Sequence, residues 1–261
     1  MSDADAALKG AIATFLRDSG LAVEEIPETN QMTPDLFVER GKPDSLLVEI
    51  KTKEDDPQEI ADLSSRLKSG GVVGRSKGTH HWNTLGGIIE KAVRQMEAHD
   101  LARASHHILW FHCTGIDASV AEVRMEATLS GTQKLWSSET PGLITAFYFT
   151  HNAFHRFAKS LDGVVISKEG QAQFHLNPFS PRLPLLRVTK FASVLGSPVI
   201  PVEISGKKNP MICGPDAPRG NMERMLAYLR QQYSLSHLQT MNMGFISGWI
   251  ERTEQELEIK E

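Results

Sequence analysis

The sequence predicts an α/β fold, and three observations carry that expectation. Segments with helical and strand periodicity alternate along the first 115 of the 261 residues. Two short runs rich in β-branched and aromatic residues, 33–38 (TPDLFV) and 46–51 (LLVEIK), flank Arg40-Gly41-Lys42-Pro43-Asp44-Ser45, a segment dense in turn formers. The apolar run 107–113 (HILWFHC) has the composition of a buried strand.

The elements follow in order. Residues 6–18 read as a helix with Leu8, Ile12, Phe15 and Leu16 on one face, and 21–26 as a first strand. The two runs around the turn supply strands two and three as a hairpin. Residues 87–99 form a second helix with Ile88, Ile89, Ala92, Val93 and Met96 apolar, followed by the strand at 107–113. Beyond residue 115 the pattern gives a helix over 117–129 capped by Asp117 and a strand over 143–150. A hairpin follows, with 164–167 and 172–176 around Lys168-Glu169-Gly170-Gln171; Asn177-Pro178-Phe179-Ser180-Pro181 must then leave regular structure. A strand over 199–204 and a helix over 221–233, with Met222, Met225, Leu226 and Leu229 as a core stripe, complete the reading; the charged tail 251–261 reads as frayed helix or disorder. With no internal repeat or low-complexity linker, the chain divides into a core, 1–115, and an α/β C-terminal part, 116–261, packed on it.

The hairpin concentrates charge. Glu49 and Lys51 are two residues apart, so a strand puts both on one face, with Val48 and Ile50 turned to the core. A turn centred near Lys42 and Pro43 brings Asp35 across from the 49–51 segment, where cross-strand neighbours lie about 4.5–5.5 Å apart at Cβ. Two facing carboxylates repel unless a cation neutralises them. Mg²⁺ suits such a site, because it takes one or two carboxylates and fills its shell with water and phosphate oxygens; Mn²⁺ is the alternative. Lys51 then has three available roles: orienting the attacking water, helping to deprotonate it, or holding a phosphate oxygen. Replacing Asp35 by Ala is expected to relieve that repulsion and raise metal-free stability.

With Pro34-Asp35 and Glu49-Ile50-Lys51 in a chain of this element order, the first 115 residues resemble the PD-(D/E)xK nuclease superfamily. The resemblance implies a restriction-endonuclease-like core of helix, three-strand meander, helix and strand, with a mixed α/β C-terminal extension. It implies a Mg²⁺-dependent phosphodiesterase, an endo- or exodeoxyribonuclease, with Asp35, Glu49 and the carbonyl of Ile50 on the metal and Lys51 assisting the water. Gln95 on the second helix resembles a polar residue that reaches the active site in this superfamily, and Lys91 lies one turn earlier; an ordinary solvated helix face is the other reading of both. The position four residues after Gln95 is His99 rather than the tyrosine of the helicase-associated branch, so the chain is not assigned there. Its first helix offers Asp5 and Asp18 where some members carry a glutamate ligand; Glu24, Glu25 and Glu28 are nearby substitutes.

Composition sets outer limits. With 40% hydrophobic and 23% charged residues, the chain can bury a sizeable core. No apolar run is long enough for a membrane span, and the acidic start, Met1-Ser2-Asp3-Ala4-Asp5, is unlike a signal peptide. Two cysteines, Cys113 and Cys213, are too few for a disulfide framework or thiolate zinc site, which suits a reducing, cytoplasmic compartment. A net charge of −4 argues against non-specific coating of nucleic acid. Locally, residues 64–89 carry no acid while Arg66, Lys68, Arg75, Lys77, His80 and His81 accumulate around Gly70, Gly71, Gly74 and Gly78. This segment is expected to be a mobile loop able to close on a phosphate backbone, with Trp82 either stacking on a base or tucked against the core.

Competing motifs fail. The glycine-rich 71–78 lacks the Gly-Lys-Ser/Thr ending of a P-loop, and His80, His81 and Asn83 lack the partner elements of an HNH nuclease. His106, His107 and His112 fit strand packing better than metal ligation. The partner expected is nucleic acid, DNA in the first instance, with a homodimer suited to cutting two strands. The competing class is a non-catalytic nucleic-acid-binding or assembly protein that keeps the nuclease fold.

Overall fold

The computed structural model describes residues 3–27, 33–41, 44–70, 72–78, 83–100, 104–204, 210–241 and 245–251. Helix α1 (Asp3–Asp18) leads into strands β1 (Val23–Glu25), β2 (Leu36–Val38) and β3 (Leu46–Lys53). Then α2 (Pro57–Gly70), β4 (Val72–Gly78) and α3 (Asn83–His99) precede β5 (His106–Cys113). After α4 (Ala118–Ser130), β6 (Gln133–Trp136), β7 (Leu143–Phe147) and α5 (Ala153–Arg156) come β8 (Gly163–Lys168) and β9 (Gln171–Leu176). The chain continues through α6 (Leu183–Leu186), α7 (Lys190–Val194), α8 (Pro201–Ile204), β10 (Met211–Ile212), α9 (Met222–Tyr233), β11 (Gln239–Met241) and β12 (Phe245–Glu251).

The architecture is mixed α/β around a six-stranded sheet ordered β1-β2-β3-β5-β8-β9. Strands β1 to β3 form an antiparallel meander, β3, β5 and β8 are parallel, and β9 returns antiparallel at the edge. Parallel neighbours need a crossover, and α2–α3 and α4–α5 supply the two that flank β5. The sheet therefore draws strands from both sides of residue 115.

Strand periodicity divides the core between the two faces. Leu47, Leu109, Phe111, Val164 and Ile166 pack against Ile89, Val93 and Met96 of α3 and Met125 and Leu129 of α4. The alternate residues Leu46, Val48, Ile108, Trp110 and Val165 pack against Ile12, Ala13 and Leu16 of α1 and Phe191 of α7. Each fully buried side chain of this size contributes about 1.5–3 kcal/mol relative to exposure, so a sheet covered on both faces is the favoured arrangement. A smaller sheet, β10-β7-β6-β11, carries its own core with Phe147, Phe149, Met225 and Leu229. Arg219 ties its loops together by donating to the carbonyls of Tyr148, Cys213 and Gly214.

Several expectations are corrected. The buried face of α1 is Lys9, Ile12, Ala13 and Leu16, and Phe15 is 43% exposed: the stripe is rotated toward the i, i+3, i+4, i+7 series that starts at Lys9. The basic segment 64–89 is not a loop within its described residues. It contains the end of α2, all of β4 and the start of α3; β4 is held along its length by β12, from Phe245↔Gly78 to Glu251↔Val72. That partner also makes strand of the residues just before the tail; 252–261 lie outside the described residues. The expected strand over 199–204 reduces to a single bridge, His175↔Val199, because Pro201 opens α8, and proline suits a first helical position. Asp117 precedes α4 without capping it through its side chain; that carboxylate pairs with Lys77 instead. The helix ends where Gly131 takes a left-handed conformation and its N–H reaches the carbonyl of Ala127. Both cysteines are buried and free. Among the described residues no helix is long and apolar enough to cross a membrane.

Candidate metal centre

Antiparallel pairing of β2 with β3 places Leu36 opposite Val48 and Phe37 opposite Leu47. The ladder ends there, and Asp35, a bend residue just before β2, lies against the 48–50 segment of β3 and so beside Glu49, within the reach that the turn symmetry predicted. The Asp35 N–H bonds the Val48 carbonyl at 3.1 Å, and its side-chain Oδ2 accepts from the Ile50 N–H at 2.8 Å. The carboxylate is thus fixed by the backbone of the strand it faces.

Glu49 is buried, with its side chain 1% exposed. Its Oε1 accepts from the Lys51 ammonium, while Oε2 has no hydrogen-bond partner among the described residues. Burial, and then the negative charge of Asp35, push the Glu49 carboxyl up to about 7; Lys51 and the Gln95 amide pull it partly back. Gln95 is buried on the α3 face toward the sheet, where its Nε2 donates to the Thr33 carbonyl at 3.3 Å and its Oε1 has no partner among the described residues. Lys91 is exposed.

A residue not anticipated from sequence completes the group. Lys9 projects from α1 with only 8% of its side chain exposed, and its Nζ lies 3.4 Å from Asp35 Oδ1 and 3.2 Å from the Ile26 carbonyl. The signal was present in the heptad-like spacing of Lys9 with Ile12, Ala13 and Leu16. A search restricted to apolar residues passes over it. Asp5, on the same helix, accepts from the Thr52 hydroxyl at 3.3 Å. Glu24 and Glu25 are paired with Arg40 and Arg17 at the surface, and Glu28 lies outside the described residues.

The ionic surroundings revise one expectation. Asp35 is not merely repelled by Glu49: it satisfies the Ile50 N–H and the buried Lys9 ammonium. Truncation to Ala would orphan the Ile50 N–H and leave the buried Lys9 charge with the Ile26 carbonyl but without its counter-ion, at about 1–3 kcal/mol for a buried unsatisfied donor, so metal-free stability should fall rather than rise.

The residues assigned to nucleic acid lie apart from this group in kind. Arg66 and Lys68 are exposed on α2, and Arg75 lies in β4 with its side chain outside the described residues, as is all of Trp82. Lys77 is ion-paired with both Glu59 and Asp117. The histidines of β5 serve packing: His106 and His107 are buried near Asp162 and Asp100, and His112 shares a hydrogen bond with Ser167.

The donor set decides which metal fits. Among the described residues no group of three or more His, Cys, Asp or Glu side chains is placed to hold an ion, so a closed three- or four-ligand zinc site does not fit. Two facing carboxylates, one with an orphaned buried oxygen, do fit Mg²⁺, which keeps several waters. Fold and site together define a mixed α/β protein with a charge-compensated two-carboxylate centre. No protein-family model matches the chain, and neither a curated protein nor a solved structure matches it.

Proposed function

We propose that this protein is a metal-dependent nuclease of the PD-(D/E)xK type, hydrolysing phosphodiester bonds of nucleic acid, DNA in the first instance. The observation that carries the reading is the closeness of Asp35, bonded to the Ile50 N–H, to a buried Glu49 that keeps one oxygen without a hydrogen-bond partner among the described residues, with Lys51 bonded to the other. The order α1, β1-β2-β3, α3, β5 supports it, being the order the superfamily resemblance implies, with α2 and β4 inserted before α3.

Asp35 and Glu49 would hold Mg²⁺, with the Ile50 carbonyl as a further ligand. Once bound, the ion supplies Lewis-acid stabilisation of charge on the scissile phosphate and the leaving oxygen. Lys51 positions the attacking water or a phosphate oxygen from the same strand face. Gln95, held by the Thr33 carbonyl, is near enough to Glu49 to favour its ionised carboxylate slightly, without occupying Oε2. Exposed Arg66 and Lys68 on α2, the helix that follows β3, offer charge for a phosphate backbone.

A second reading has its own observation. Lys9 and Lys51 already neutralise both carboxylates, which is what a non-catalytic protein retaining the fold would need. Cleavage of labelled DNA and RNA in Mg²⁺ or Mn²⁺, comparing wild type with Lys51→Ala and Asp35→Ala, separates the two. Metal-dependent cutting lost in both variants supports the nuclease. Cutting that survives either substitution refutes the site, and no cutting together with no metal-induced thermal shift favours the binding protein.

A further inference from the structure

We propose that Lys9 is a resident counter-cation that opposes metal binding at Asp35, so that the divalent ion is held weakly by the resting protein and tightly only when an anionic ligand adds its own charge. The inference rests on the metal-centre reading above and specifies how that centre is regulated.

A lysine ammonium is seldom placed in a protein interior without strong compensation. Lys9 is 7% exposed, and the contacts that hold its Nζ are the Ile26 carbonyl at 3.2 Å and Asp35 Oδ1 at 3.4 Å. Its position is fixed by α1, whose Ile12, Ala13 and Leu16 are anchored in the core beneath the sheet. The helix thus holds the base of the Lys9 side chain, and the Ile26 carbonyl and Asp35 hold its end. Lys51 is bonded to Glu49 in the same way. Two carboxylates and two ammonium groups sum to zero, so the centre has no net negative charge with which to attract a dication. A metal held by Asp35 and Glu49 would meet the charge of Lys9 beside Asp35.

The alternative role for Lys9 is to orient Asp35 for the metal, and the two roles have opposite signs. Removing a repelling cation strengthens metal binding; removing an orienting one weakens it. A unit charge about 5 Å from a dication, screened as in water, changes affinity by roughly tenfold.

The test is Mn²⁺ binding to the full chain by isothermal titration calorimetry at pH 7.5, for wild type, Lys9→Gln, Lys9→Met and Asp35→Asn. Lys9→Gln keeps an N–H donor for the Ile26 carbonyl while removing the charge, and Lys9→Met keeps the shape if the first variant folds poorly. The expected result is about tenfold tighter Mn²⁺ binding in the Lys9 variants and its loss in Asp35→Asn. Equal or weaker binding in the Lys9 variants, with wild type still binding through Asp35, overturns the role of Lys9 and leaves the metal centre standing. Absence of Mn²⁺ binding in wild type and both Lys9 variants overturns the metal centre as well.

Discussion

Replacing Glu49 by Gln should make the protein's stability less dependent on pH, in a direction fixed by the buried carboxyl. In the folded chain this group titrates at about 7, against an ordinary value of 4.5, because burial and then Asp35 disfavour its charge. The folded state thus binds the proton more tightly than the unfolded one. The stabilisation from the protonated form is fully present below pH 4.5 and is lost as pH rises through 7. A change of this size corresponds to roughly 3 kcal/mol, and the side chain is almost wholly shielded from solvent. Glutamine mimics the protonated acid and does not titrate. Urea unfolding of both proteins in EDTA, from pH 4.5 to 8.5, should show the stability of Glu49→Gln relative to wild type increasing by about 2–3 kcal/mol across that range. A difference that stays constant with pH would refute the reasoning. Mg²⁺ added at pH 8.5, at a concentration well above its weak dissociation constant for the resting protein, should then recover stability in wild type more than in the variant, since a ligand that binds only the folded state stabilises it.

Two further predictions concern the scaffold. Lys77 joins Glu59 of α2 to Asp117 at the start of α4, so Lys77→Met should lose about 1 kcal/mol or less and speed hydrogen exchange in α2 and β4 while leaving β3 and β5 protected; unchanged exchange in α2 and β4 would show that the ion pairs do not restrain them. At Gly163 an added Cβ would lie 2.5 Å from Phe174 Cε2 and 3.0 Å from the His175 carbonyl. Gly163→Ala should therefore destabilise by about 1–3 kcal/mol in a thermal melt, and an unchanged midpoint would mean that β8 and β9 can separate at little strain.

What could be read from sequence follows from how local each cause is. The placement of Asp35 across from the 49–51 segment was legible because a short connection fixes hairpin pairing by symmetry, and Glu49 and Lys51 share a face by strand period alone. Helix α3 was legible from its apolar spacing, and so was the burial of 107–113. Strand β4 was not, because its glycines weaken local preference and its partner, β12, lies some 170 residues further along the chain. Lys9 was hidden for a different reason: its burial is decided by Asp35 and Ile26 across space, and lysine is discounted when an apolar face is sought. The capping role expected of Asp117 failed to a stronger competitor, the Lys77 ammonium. Each miss lies where a long-range charge or strand partner outweighed a local rule.

The pairing of β4 with β12 also sets an order of assembly. Strand β4 is synthesised between β3 and β5, yet its pairing edge remains open until residues 245–251 have emerged. Closing so long a segment carries an entropic toll that the neighbouring hairpin β2–β3 never faces. The nascent chain can thus gather Asp35, Glu49 and Lys51 early, while the ribbon that follows α2 waits for residues 245–251. A chain ending before residue 245 would retain the sequence of every strand in the six-stranded sheet but leave β4 as an unpaired edge, open to adventitious partners during synthesis.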